Sequence, residues 1–160
     1  MERLSKRIDK RLDKYPTAAS ALDDMERLGC RLIDEMYAAT AGLLDDHCFD
    51  LCVVPMATAW MALAPANKRL VIPPGLARSC LEELRQEMDR LAKSASSAAD
   101  LSGIFRKSRN PELVMLLWEQ LTMTRGQLSK KERPTDLQYA NMQTVLFAAV
   151  NVLAQALENR

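Results

Sequence analysis

The chain has 160 residues, 48% hydrophobic and 27% charged, a balance that suits one globular core with a wetted surface. A formal net charge of +1 supplies no general field for nucleic acid or an anionic membrane, and a single histidine leaves little material for acid–base or metal chemistry. Aromatic residues make up only 5%, so packing falls to Leu, Ala and Met, which favour helices over strands.

The first segment, 1–14, carries six Lys/Arg against three acids and reads as a basic helix with Leu4, Ile8, Leu12 and Tyr15 on one side. It has no continuous apolar stretch, so no secretory leader is expected. After Pro16, Thr17 or Ser20 can cap a long helix over 20–46. Its stripe is Leu22, Met25, Leu28, Leu32, Met36, Ala39 and Leu43, with Asp23 and Arg27 paired at i,i+4 and Gly29 allowing a close helix contact. Residues 48–54 are ambiguous, and Val54 is expected to be extended because a proline follows it. Pro55 suits the first position of a short helix over 55–64 that carries Met56, Ala59, Trp60 and Leu63.

Residues 67–74 read as an extended crossover with a Pro-Pro end. The segment 75–97 has the cleanest period: Ala77, Leu81, Leu84, Met88, Leu91 and Ala95 step by 4, 3, 4, 3 and 4, the seam of two packed helices. A brief extra turn is expected over 101–107. Asn110-Pro111-Glu112 then reads as cap, first position and acidic second position of a central helix over 111–129. Thr135 and Gln138 have capping-box spacing for the last helix, 135–158. Amides interrupt its uncharged stretch, so no segment is expected to span a membrane.

That last helix is the most unusual element. Met142, Val145, Leu146, Ala149, Val150, Val152, Leu153, Ala156 and Leu157 share one broad face. The opposite face holds Asn141, Thr144, Ala148, Asn151 and Gln155, with none of the Lys or Glu that a wet face normally presents. Three explanations are open: a neutral but ordinary outer face, burial across a symmetric dimer, or one wall of a polar ligand groove. The stretch 45–52 gathers the sole histidine, two cysteines and three aspartates, which makes His47, Cys48 and Cys52 weak metal candidates. Neither a helix nor a strand puts His47 beside both cysteines, and no second ligand pair has zinc spacing. A nucleophilic Cys–His pair has the same thin basis.

Four scattered cysteines do not make a disulfide framework and read as small buried hydrophobes in a reducing cytoplasm. The cluster Arg106-Lys107-Ser108-Arg109, with Arg125, Lys130, Lys131 and Arg133, lacks interleaved aromatics and reads as solvated loop rather than a phosphate strip. The five glycines stand alone, outside any phosphate-loop or nucleophile-elbow motif.

These features predict an all-α, single-domain bundle of five or six helices. The expected role is that of a non-catalytic cytoplasmic interaction protein, a homodimer or partner-binding module, with no cofactor, nucleic acid or membrane. The alternative is a small-ligand or metal-binding protein that uses the Asp45–Cys52 region.

Overall fold

Seven consecutive residues of the last helix, 144–150, are buried, and so are ten consecutive residues at 55–64. One-sided amphipathic helices cannot bury every residue over two turns. Two helices must therefore be covered around their whole circumference, and the remaining chain supplies the cover. The computed structural model describes Lys6 and residues 17–65, 68–93, 108 and 110–158. The basic segment 1–14 (Lys6 aside), the tail of the fourth predicted helix beyond Lys93 and the turn over 101–107 lie outside the described residues.

The fold is all-α, with six helices and no strand among the described residues. They are α1 (Ala18–Arg27), α2 (Leu32–Ala39), α3 (Asp46–Leu63), α4 (Leu76–Lys93), α5 (Pro111–Gln127) and α6 (Asp136–Glu158). The central helix is α6, which packs on α3, α4 and α5. It runs parallel to α3, since Gln138 near the start of α6 donates to Asp45 at the start of α3 at 3.1 Å. It runs antiparallel to α5, where the Trp118 indole N–H donates to the Gln143 carbonyl at 2.9 Å and the Thr122 and Tyr139 hydroxyls meet. Against α4 it is also antiparallel, with Thr144 touching Met88 and Gln155 level with Cys80.

Local chemistry accounts for most of the helix starts. Thr17 accepts from the Ser20 amide at 3.2 Å while Ser20 returns a bond to the Thr17 backbone, closing a capping box on α1. Thr135 and Gln138 form the reciprocal pair on α6, both bonds at 3.2 Å. The linker alternates Leu70 inward, Val71 outward and Ile72 inward, as an extended crossover should.

Several expectations need correcting. The helix over 20–46 is broken into α1 and α2. Gly29 has φ +72°, the Cys30 amide donates to Met25 O, and the Gly29 amide donates to Glu26 O; together these form a Schellman motif that ends α1. Gly29 is thus a helix stop rather than a helix contact, with the Arg69 guanidinium lying over it. Arg27 pairs with Asp24 at 2.6 Å, not with Asp23. Residues 48–54 are helical, and α3 runs through Pro55 from Asp46 rather than starting at Pro55. An interior proline costs about 3 kcal/mol, which a dozen buried α3 residues outweigh at roughly 1.5–3 kcal/mol for each large side chain. Asn110 precedes α5 as expected but makes no side-chain cap; its backbone N–H donates to the Ser108 hydroxyl instead. Length and composition alone would let α6 cross a bilayer, since it has 23 residues and contains an 18-residue window of mean hydropathy 1.3. Within this fold 67% of that window is buried, the position of a core helix.

Gly29→Ala should lower stability by about 1–2 kcal/mol, the cost of a Cβ in the left-handed region, with an unchanged denaturant slope. Gly29→Asn should lose less. Midpoints for both variants that match the wild type would contradict the left-handed cap.

Candidate functional site

The uncharged face of α6 divides into two parts. Asn141 donates to the Leu43 carbonyl at 3.5 Å, Thr144 donates to the Ala140 carbonyl at 3.0 Å and is 8% exposed, and Ala148 is fully buried. This half closes against the chain itself, so its lack of charge has an intramolecular cause. Asn151 and Gln155, one and two turns further on, line a partly open cleft of about 180 Å³ between α4 and α6.

The α4 wall is Cys80, Glu83, Leu84 and Glu87, at i, i+3, i+4 and i+7, which places them on one helix face. The α6 wall is Phe147, Asn151 and Gln155, stacked every fourth residue, and Ser108 completes the described lining. The Oδ1 of Asn151 is shielded from solvent and has no hydrogen-bond partner. Sequence reasoning found Asn151 and Gln155 but missed Cys80, Glu83, Leu84, Glu87 and Phe147. Leu84 belongs to the predicted seam of α4, and the sequence reading assigns no role to Glu83 or Glu87. The signal was two glutamates one turn apart beside an apolar row, readable only once the antiparallel partner of α4 is known.

The 45–52 stretch does not converge. Asp45 caps α3 by accepting from the Cys48 amide at 2.7 Å, so it begins a helix rather than ending one. His47 stays exposed, and its Nε2 lies 2.8 Å from the Glu132 carbonyl, tying α3 to the loop before α6. Cys48 and Cys52 turn inward, 1% and 0% exposed. Burial pushes both thiols up to about 12, with the neighbouring Asp45 carboxylate adding to the effect at Cys48. Thiolate is the form that binds metal or attacks an electrophile, and these two thiols are held in the other form. His47, Cys48 and Cys52 are therefore not brought together, and no group of three or more His, Cys, Asp or Glu is placed to hold an ion among the described residues.

Of the basic residues, Arg125 pairs with Asp136 at 2.7 Å and stacks over Tyr139 at 4.4 Å. Lys130, Lys131 and Arg133 are exposed on the loop before α6, while Arg106, Lys107 and Arg109 lie outside the described residues. Comparison with protein-family models, with curated proteins and with solved structures finds no match to this chain.

Two outcomes follow. At pH 8 a thiol-alkylating reagent should leave Cys48 and Cys52 unmodified in the native protein and modify both in denaturant; rapid native labelling of either, mapped by mass spectrometry, would contradict their burial. The Cys48 amide holds the Asp45 carboxyl below its ordinary value. Its contribution to stability is therefore present above about pH 4, the ordinary aspartate value, and is lost as pH falls through the lowered one. Asp45→Asn should remove that part of the acid-side slope, whereas identical pH profiles for the two proteins would refute the cap's titration.

Proposed function

We propose that the protein is a non-catalytic binding module of the cytoplasm whose site is the cleft between α4 and α6. The observation that carries this reading is Asn151, whose side chain lines a partly open cleft of about 180 Å³ and whose carbonyl oxygen is shielded from water without a hydrogen-bond partner. An orphaned buried acceptor costs roughly 1–3 kcal/mol. A bound donor would remove that cost, and folding alone gives no reason to keep it. The engaged state of His47 and the protonated thiols of Cys48 and Cys52 support a role without bond-making chemistry. Four buried, unbridged cysteines support a reducing compartment.

A second reading, association with another copy or a protein partner, has separate support. Met115 and Met123 are 49% and 67% exposed on the same broad side of α5, and methionine surfaces adapt readily to apolar partners.

Asn151→Leu separates the two readings. The binding reading expects native mass spectrometry to show a small-molecule adduct on gently purified wild type, and expects Asn151→Leu to lose it while keeping a denaturation midpoint at or above the wild type. A stability loss above about 1 kcal/mol, with no adduct on either protein, would mark Asn151 as structural. A dimer mass abolished by Met115→Glu and Met123→Glu would favour the second reading.

A further inference from the structure

We infer that the outer face of α5 docks an amphipathic helix of a partner protein, whose apolar stripe covers Met115 and Met123 and whose flanking Lys or Arg side chains meet Glu112 and Glu119. The inference rests on the second reading, association with a protein partner, and is independent of the α4–α6 cleft. Glu112, Met115, Glu119, Thr122, Met123 and Gly126 are all exposed. At the helical repeat they fall within one arc of about 100°. Single exposed hydrophobes are ordinary on a protein surface. Here two methionines share the outward arc of one helix, just over two turns apart, with a glycine beside them. Gly126 lies inside the helix without a left-handed φ, and a Cβ added to it would meet nothing within 4 Å. A helical glycine is less stable than alanine, and no turn or neighbour in this chain calls for one at 126. A helix crossing α5 there does, because glycine lets another backbone come close.

Charge selects the partner. Glu112 and Glu119 are the ionic side chains of the arc, and the basic residue of α5, Arg125, turns to Asp136 and Tyr139 instead. Neither glutamate has a side-chain partner among the described residues. Glu112 suits the first turn of α5 for its own sake, whereas Glu119 stands mid-helix with no such role. An anionic lipid surface, a nucleic acid or an acidic helix would meet repulsion along this arc. The α5 of a second copy, related by a twofold axis that sets Met115 on Met123, would bring Glu119 against Glu119 with no cation in the arc to offset them. A small molecule would find a convex helix surface rather than a pocket. A helix with Leu or Ile along one stripe and Lys or Arg beside it covers the thioethers and neutralises both carboxylates at once.

Two synthetic helical peptides of the length of α5 test this. Both carry the same Leu stripe, one flanked by Lys and the other by Glu, and each is fluorescently labelled and titrated by anisotropy with the full chain. The Lys peptide should bind at least about fivefold more tightly, the worth of two exposed ion pairs, and added salt should narrow that difference. Glu112→Lys with Glu119→Lys should reverse the preference. Met115→Ser with Met123→Ser should weaken both peptides alike. Gly126→Leu should fold with an unfolding midpoint at or above the wild type and yet bind the Lys peptide more weakly; unchanged binding by that folded variant would overturn the close crossing at 126. Equal binding of the two peptides, or a preference for the Glu peptide, would overturn the basic-helix inference while α5 remained an association surface. A dimer mass lost in the Met115→Ser, Met123→Ser protein would make the occupant a second copy and overturn the inference in that way. A chain of monomer mass that binds neither peptide would overturn the inference and the association reading together.

Discussion

The fold depends on α6 being enclosed all the way round by its own chain. A helix interior to a protein has no wet side, so nothing on it needs charge. Residues 144–150 obey that rule without exception. Because α6 is central, α3, α4 and α5 pack around it, one parallel and two antiparallel, each with a side-chain contact to α6. Ala148 and Ala149 on α6, and Ala57, Ala59 and Ala62 on α3, are small enough to let such covered helices approach closely.

The cleft is where that enclosure stops. Toward the end of α6 the covering by α4 opens, and Asn151 and Gln155 emerge beside Cys80, Glu83 and Glu87. Amides on a core helix are costly when unpaired and useful when a ligand pairs them. The same face thus changes from sealing to open over about one turn, and among its described residues the solvent-shielded polar atom without a partner is Asn151 Oδ1, in the second part. A site built this way lies on two rigid helices, which favours pre-organised binding over loop capture.

The sequence displayed some of this directly. Capping pairs are local, so Thr17–Ser20 and Thr135–Gln138 were readable from spacing alone. The α4 seam was readable because one face of that helix is wet. Two kinds of information were hidden. Gly29 followed an unbroken apolar stripe, and the stripe hid the stop, since a Schellman turn keeps Met25 and Leu32 facing the same core while redirecting the chain. Pro55 looked like a helix start because local propensity says so; burial of residues 55–63 on every side overrode it, and burial is a property of partners far away in the chain. The neutral face of α6 was visible, but its cover was not. Whether Ala148 meets a second molecule or the same one depends on how α4 folds back, and nothing near position 148 records that.

The most direct test of the enclosure is Ala148→Lys in the full chain, compared with Asn151→Lys at the cleft one turn away. If the chain itself seals α6, the buried lysine at 148 should cost more than about 3 kcal/mol in denaturant unfolding or prevent folding, whereas Asn151→Lys should fold with a loss below about 1 kcal/mol. A folded Ala148→Lys variant with the wild-type midpoint would show that water reaches this face of α6, and the account of a self-enclosed central helix would fail.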